Sequence, residues 1–87
     1  MGNFRPCENI MNSKIVLEQC GKLMNELHAE WINNELNIRY NKRMQLANKG
    51  DIKKRAEVIA ECTKKKEYVE GAIEVLRGIA DEHKSLA

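Results

Sequence analysis

The chain has 87 residues, a net charge of +2, 43% hydrophobic residues and four aromatic side chains, Phe4, Trp31, Tyr40 and Tyr68. This excludes more than one domain and requires any core to be aliphatic. Charged residues make up 32% against five Gly and one Pro, the profile of a long-helix or coiled-coil chain. Three widely spaced cysteines, Cys7, Cys20 and Cys62, form no CxxC and no zinc-spaced Cys/His pair. A disulfide scaffold or a structural metal is therefore not expected, and free thiols point to a reducing, cytoplasmic setting. No apolar run reaches the ~18 residues of a membrane span, and no charged-then-apolar leader is visible.

Residues 1–9 lack helical period and carry Gly2 and Pro6, so they read as an irregular arm. Met1-Gly2 invites N-myristoylation, but Pro6 stands where that signal needs Ser or Thr. From there to residue 87 the pattern is helical on both sides of Asn48-Lys49-Gly50-Asp51. Asn9, Asn12 or Ser13 would cap the first helix. Gly50 suits the left-handed conformation that closes a helix, and Asp51 suits the N-cap of the next.

In the first arm Ile10, Leu17, Met24, Trp31 and Ile38 recur every seven residues, interleaved with Ser13, Cys20, Leu27, Asn34 and Asn41. This is a heptad seam, and polar residues such as Asn34 and Asn41 within a seam set register and oligomer state. A second stripe, Ile32, Leu36, Tyr40, Met44 and Ala47, lies on roughly the opposite face. The helix therefore either has two partners, which we favour, or kinks at Asn33-Asn34 and re-aims its apolar face.

In the second arm Ile52, Ile59, Lys66, Ile73 and Ala80 alternate with Arg55, Cys62, Val69, Leu76 and His83, while Val75 and Ile79 widen the apolar face. Antiparallel arms of roughly 37 residues, each ~55 Å long, put Ile38 near Cys62, Leu27 near Ala72 and Ile73, and Met24 near Leu76. The expected fold is all-α: an antiparallel, coiled-coil-like two-helix hairpin over residues 10–87, turning at 48–51. Two helices without a third layer are short of core, so self-association through Ile32, Leu36, Tyr40 and Met44 is expected to complete it.

Charge is distributed unevenly. Between Arg39 and Lys66 ten basic residues face three acids, for +7, and the remaining residues carry −5. Lys42 and Arg43 suit a helix C-terminus, but Lys53, Lys54 and Arg55 open a helix where cations are disfavoured. Arg39, Lys42, Arg43, Lys53, Lys54, Arg55, Lys64, Lys65 and Lys66 thus form a candidate partner-binding tip. Its ligands would be an acidic protein surface, another copy's acidic end, or nucleic acid; no aromatic residues interleave as a stacking platform requires.

No phosphate loop, HExxH or nucleophile–base pair occurs, and His28 and His83 fall at different heights of the hairpin. No enzyme, cofactor or metal is expected. Residues 70–80, Glu-Gly-Ala-Ile-Glu-Val-Leu-Arg-Gly-Ile-Ala, resemble the last helix of small phage proteins that sequester cyclic oligonucleotide signals. The Lys/Asn/Ile-rich style is also similar to that of phage and mobile-element accessory proteins.

The sequence is read first as a non-enzymatic protein–protein interaction module, an assembly component or a regulator of a larger complex. The second reading is a nucleic-acid-associated protein using the basic tip. A third is a small-ligand (nucleotide) sponge formed between subunits, with Tyr68 and Arg77 as contacts.

Overall fold

The computed structural model describes residues 6–85, with side chains described from Asn12 onward. It is an antiparallel hairpin of two helices, α1 (Pro6–Leu46) and α2 (Ile52–Lys84), forming a rod of 65 × 19 × 14 Å. Neither helix is long and apolar enough to cross a membrane.

The expected arm and the start of α1 differ from the structure. The helix begins at Pro6, four residues before Ile10, so residues 6–9 are helical. Proline is favoured at the first helical position, where its fixed φ suits the helix and no N–H is needed. Residues 1–5, including Phe4, lie outside the described residues, as does the side chain of Cys7.

The turn sits at 48–51 as expected, but a different residue closes α1. Asn48 takes φ 55, the Lys49 amide reaches the Met44 carbonyl, and the Asn48 amide reaches the Gln45 carbonyl, each at 3.0 Å. This is a Schellman closure with asparagine at the left-handed position. Gly50, at φ 76, makes the second left-handed step inside the connection. Asp51 caps α2 as predicted, its carboxylate accepting from the Lys54 amide at 3.2 Å.

The heptad seam faces inward. Among the described residues, every seam position except Ile52 is buried or half-buried, and Val69 is the most enclosed apolar one at 1% exposure. Cys20, Ile38, Cys62 and Ile73 complete a thin core, alongside buried Ser13, Asn34 and Asn41. Cross-helix ties pin the register: Ser13 with His83, Trp31 with Glu70, Glu35 with Lys66 and Asn41 with Arg55. The paired numbers sum to between 96 and 101, the alignment that also sets Ile38 beside Cys62 and Leu27 beside Ala72.

Asn41 locks register as a seam polar residue should, because its Oδ1 accepts from Arg55. Asn34 does not; its amide donates to the Glu30 carbonyl of its own helix, 2.9 Å away. All buried side-chain polar atoms among the described residues have a partner. α1 runs as one uninterrupted helix through Asn33-Asn34. The second apolar stripe therefore stays on the outside of the rod.

Candidate interaction surfaces

The basic tip divides into cations engaged by the fold and cations that are not. Arg55 opens α2 but turns back on the connection. Its Nε donates to the Lys49 carbonyl at 2.8 Å, its Nη1 donates to Asn41 at 3.0 Å, and its guanidinium lies 5.7 Å from the Tyr40 ring centroid. The side chain thus buckles the connection to the last turns of α1, satisfying the Lys49 carbonyl in the connection and the Asn41 side-chain oxygen at once. A helix N-terminus disfavours a cation, but this charge leaves the α2 dipole for the α1 C-terminal side.

Lys66 is also engaged. Its ammonium pairs with Glu35 and lies 4.5 Å from the centroid of the Trp31 ring, while the Trp31 indole donates to Glu70 at 2.8 Å. Glu35 binds Arg39 as well, at 3.2 Å. These two cations hold its carboxyl below the usual 4.5, the Lys66 bond first and the Arg39 bond second. Arg39 and Lys65 remain exposed, and Lys65 pairs loosely with Glu61 at 3.4 Å.

Lys42, Arg43, Lys53, Lys54 and Lys64 are exposed and make no ion pair with any described residue. Of the nine cations proposed for the tip, Arg55 and Lys66 thus hold the hairpin together rather than face outward.

The proposed oligomer stripe is largely exposed. Ile32, Leu36 and Tyr40 stand 52%, 60% and 53% exposed, a row of large apolar groups that α2 does not cover. Met44 differs, being half-buried beside the connection.

A second apolar feature was not singled out from the sequence. An open groove of about 750 Å³ runs between the helices in the acidic half, lined by Leu23, Leu27, Tyr68, Gly71, Val75 and Leu76 among others, with Glu26, Glu30 and Glu67 on its rim. Tyr68 is 80% exposed and Val75 63%. Its signal in the sequence was the Tyr68, Gly71, Val75 spacing on α2, which reads as a mere widening of the seam unless Leu23 across the rod is known.

A smaller, polar groove is lined by His28, Trp31, Glu70, Ile73, Glu74 and Arg77. Tyr68 and Arg77, the two contacts of the small-ligand reading, therefore line different grooves and are not brought together. The histidines are apart too. His83 meets Ser13 at 3.1 Å, while His28 sits about four turns further along α1. No cluster of metal-ligating side chains occurs among the described residues.

No protein-family model matches this chain, and no curated protein or solved structure shows significant similarity to it.

Proposed function

We propose that the protein is a non-enzymatic, cytoplasmic protein–protein interaction module, working as an assembly component or as a regulator of a larger complex. The observation that carries this reading is the balance between core and surface. Among the described residues the hairpin buries five apolar side chains, all but Ile38 and Ile73 small, yet leaves Leu23, Ile32, Leu36, Tyr40, Tyr68 and Val75 substantially exposed along one rod. Exposed apolar patches of this extent mark interaction sites, and the rod presents them on helices tied by cross-strand-like polar bonds rather than on loops.

The test is affinity capture from the native cell with the full chain, comparing wild type with Ile32→Asp and Leu36→Asp. Proteins retained stoichiometrically by wild type and lost with both variants support the reading. An identical set retained by all three chains would overturn it.

A second reading, nucleic-acid association, is supported by the five unpaired cations at the tip. Phosphate binding would weaken with salt by a log–log slope of about −0.9 per phosphate neutralised. We expect only weak duplex binding at ~0.15 M salt, where screening acts within ~8 Å, because ten acids occupy the other half of a chain of net charge +2. Tight, salt-sensitive binding that is lost on Lys53→Glu/Lys54→Glu/Lys64→Glu would reverse this preference.

A further inference from the structure

The outer faces of the two helices differ in charge and match in spacing. Leu36 and Arg43 stand opposite the buried Ile38 and Asn41 of α1, and Gly71 and Gly78 stand opposite the buried Val69 and Ile73 of α2. These faces therefore look outward on opposite sides of the rod, and neither is covered. On α1 the exposed Ile32, Leu36, Tyr40 and Leu46 share their face with Arg39 and Arg43. On α2 the exposed Glu67, Glu74 and Asp81 share theirs with Gly71, Val75 and Gly78.

Each face carries one sign of charge. The only acid between residues 32 and 46 is Glu35, which turns to Lys66 across the seam. The only base between residues 67 and 81 is Arg77, which lines the polar groove with His28 and Trp31. We infer that the Ile32–Leu46 face of one copy docks on the Glu67–Asp81 face of the next, joining hairpins side by side into an open, staggered row. This deepens the interaction-module reading, on which it rests, by naming the partner of the exposed stripe.

Charge fixes the direction of the contact. Helices that meet antiparallel bring equivalent flanks together, so Arg39 lies against the partner's Glu74. Leu36 then lies over the partner's Gly78, and Arg43 over the partner's Gly71. Parallel helices would instead set Arg39 beside the partner's Tyr68 and the partner's Val75. Because α1 runs toward the turn and α2 away from it, antiparallel helices mean rods that point the same way. At 1.5 Å per residue, this register displaces one rod along the other by ~22 Å.

That displacement carries the basic half, +7, alongside the acidic residues, −5, of the neighbouring copy. Rods pointing the same way without it would set like beside like. The glycines fit the same arrangement. A Cβ at Gly71 or Gly78 would meet nothing within 4 Å, so the single hairpin bears their cost to the helix without using the space. Bare backbone at two points seven residues apart leaves a shallow furrow, and Leu36 and Arg43, equally spaced, form the ridge that enters it. The two surfaces in contact are different, so every added hairpin leaves one face of each kind free and the row does not close.

Two substitutions block one face each. Leu36→Glu sets a carboxylate against the acidic face, and Gly78→Glu fills the furrow with a carboxylate where Leu36 would enter. Both positions are exposed and glutamate is a good helix former, so each variant should keep its helices, which circular dichroism verifies. Each face spans ~21 Å of helix, a contact smaller than a standard interface and correspondingly weak. Wild type should therefore grow in mass by sedimentation as its concentration is raised toward ~1 mM, passing twice the 10.0 kDa of one chain without a plateau. Added salt should reduce that growth.

Each variant alone should stay a single chain over the same range, because every contact in its row would contain the blocked face. Mixed in equal amounts they should form a dimer that goes no further. One contact is then wild type on both sides, and the two faces left over each carry a new carboxylate. A wild type that stays monomeric or stops at a dimer, undiminished growth of either helical variant, or a mixture that fails to pair or grows past a dimer would overturn the arrangement. A monomeric wild type that still loses captured proteins on Leu36→Asp would refute the row while leaving the interaction-module reading intact.

Discussion

Replacing Arg55 by methionine tests whether this residue belongs to the fold or to a partner. Methionine keeps the aliphatic stem but removes the two hydrogen bonds, to the Lys49 carbonyl at 2.8 Å and to Asn41 Oδ1 at 3.0 Å, and the cation over Tyr40. A hydrogen bond from a charged donor contributes ~1.5–3 kcal/mol when well shielded. Arg55 is only half-buried, and solvent screening reduces the pair to ~2 kcal/mol in total.

Part of that loss is the buried Asn41 oxygen, left without its donor. For a domain of this size ~2 kcal/mol lowers the midpoint of thermal unfolding by roughly 8–16 °C. The assay is thermal and urea unfolding at one fixed protein concentration, repeated on an Asn41→Ala background. There the cost of Arg55→Met should shrink by about 1 kcal/mol, because the shared bond is already gone. A loss below ~0.5 kcal/mol, or strict additivity of the two substitutions, would refute the buckle and return Arg55 to the partner-facing tip.

Two further outcomes follow from the same geometry. The Glu35 carboxyl titrates below its usual 4.5, so its pairing stabilises the folded state above that pH and is lost as pH falls through the lowered value. Glu35→Gln should therefore be less stable than wild type at pH 7, with the gap closing under strongly acidic conditions; a gap unchanged with pH would contradict the ion pair. Cys20 and Cys62, free and buried, should react slowly with a thiol reagent in the folded protein and rapidly in denaturant. Fast native labelling of either one would place it outside the seam.

The amino-acid sequence by itself determined the hairpin: two heptad arms, the turn at 48–51, the Asp51 cap and the alignment of Leu27 with Ala72. Those features are local or periodic. A seven-residue repeat selects one helix face wherever that helix sits, and equal arms about a short connection leave one antiparallel alignment. Even the exposed Ile32–Leu36–Tyr40 stripe was legible, because its rotation from the seam is a property of the helix alone.

What only the tertiary structure decided is which groups meet across the rod. Asn48, rather than Gly50, closes α1, since either residue tolerates a positive φ and the Schellman bonds to Met44 and Gln45 select between them. Arg55 and Lys66 look like their neighbours Lys54 and Lys65 in a basic run, yet reach Asn41, Glu35 and Trp31 because they sit at seam positions and their neighbours do not. The groove is likewise shared, with Leu23 and Leu27 as one wall and Tyr68, Gly71 and Val75 as the other. Neither wall is concave alone, and a concavity exists only once two helices have been set side by side.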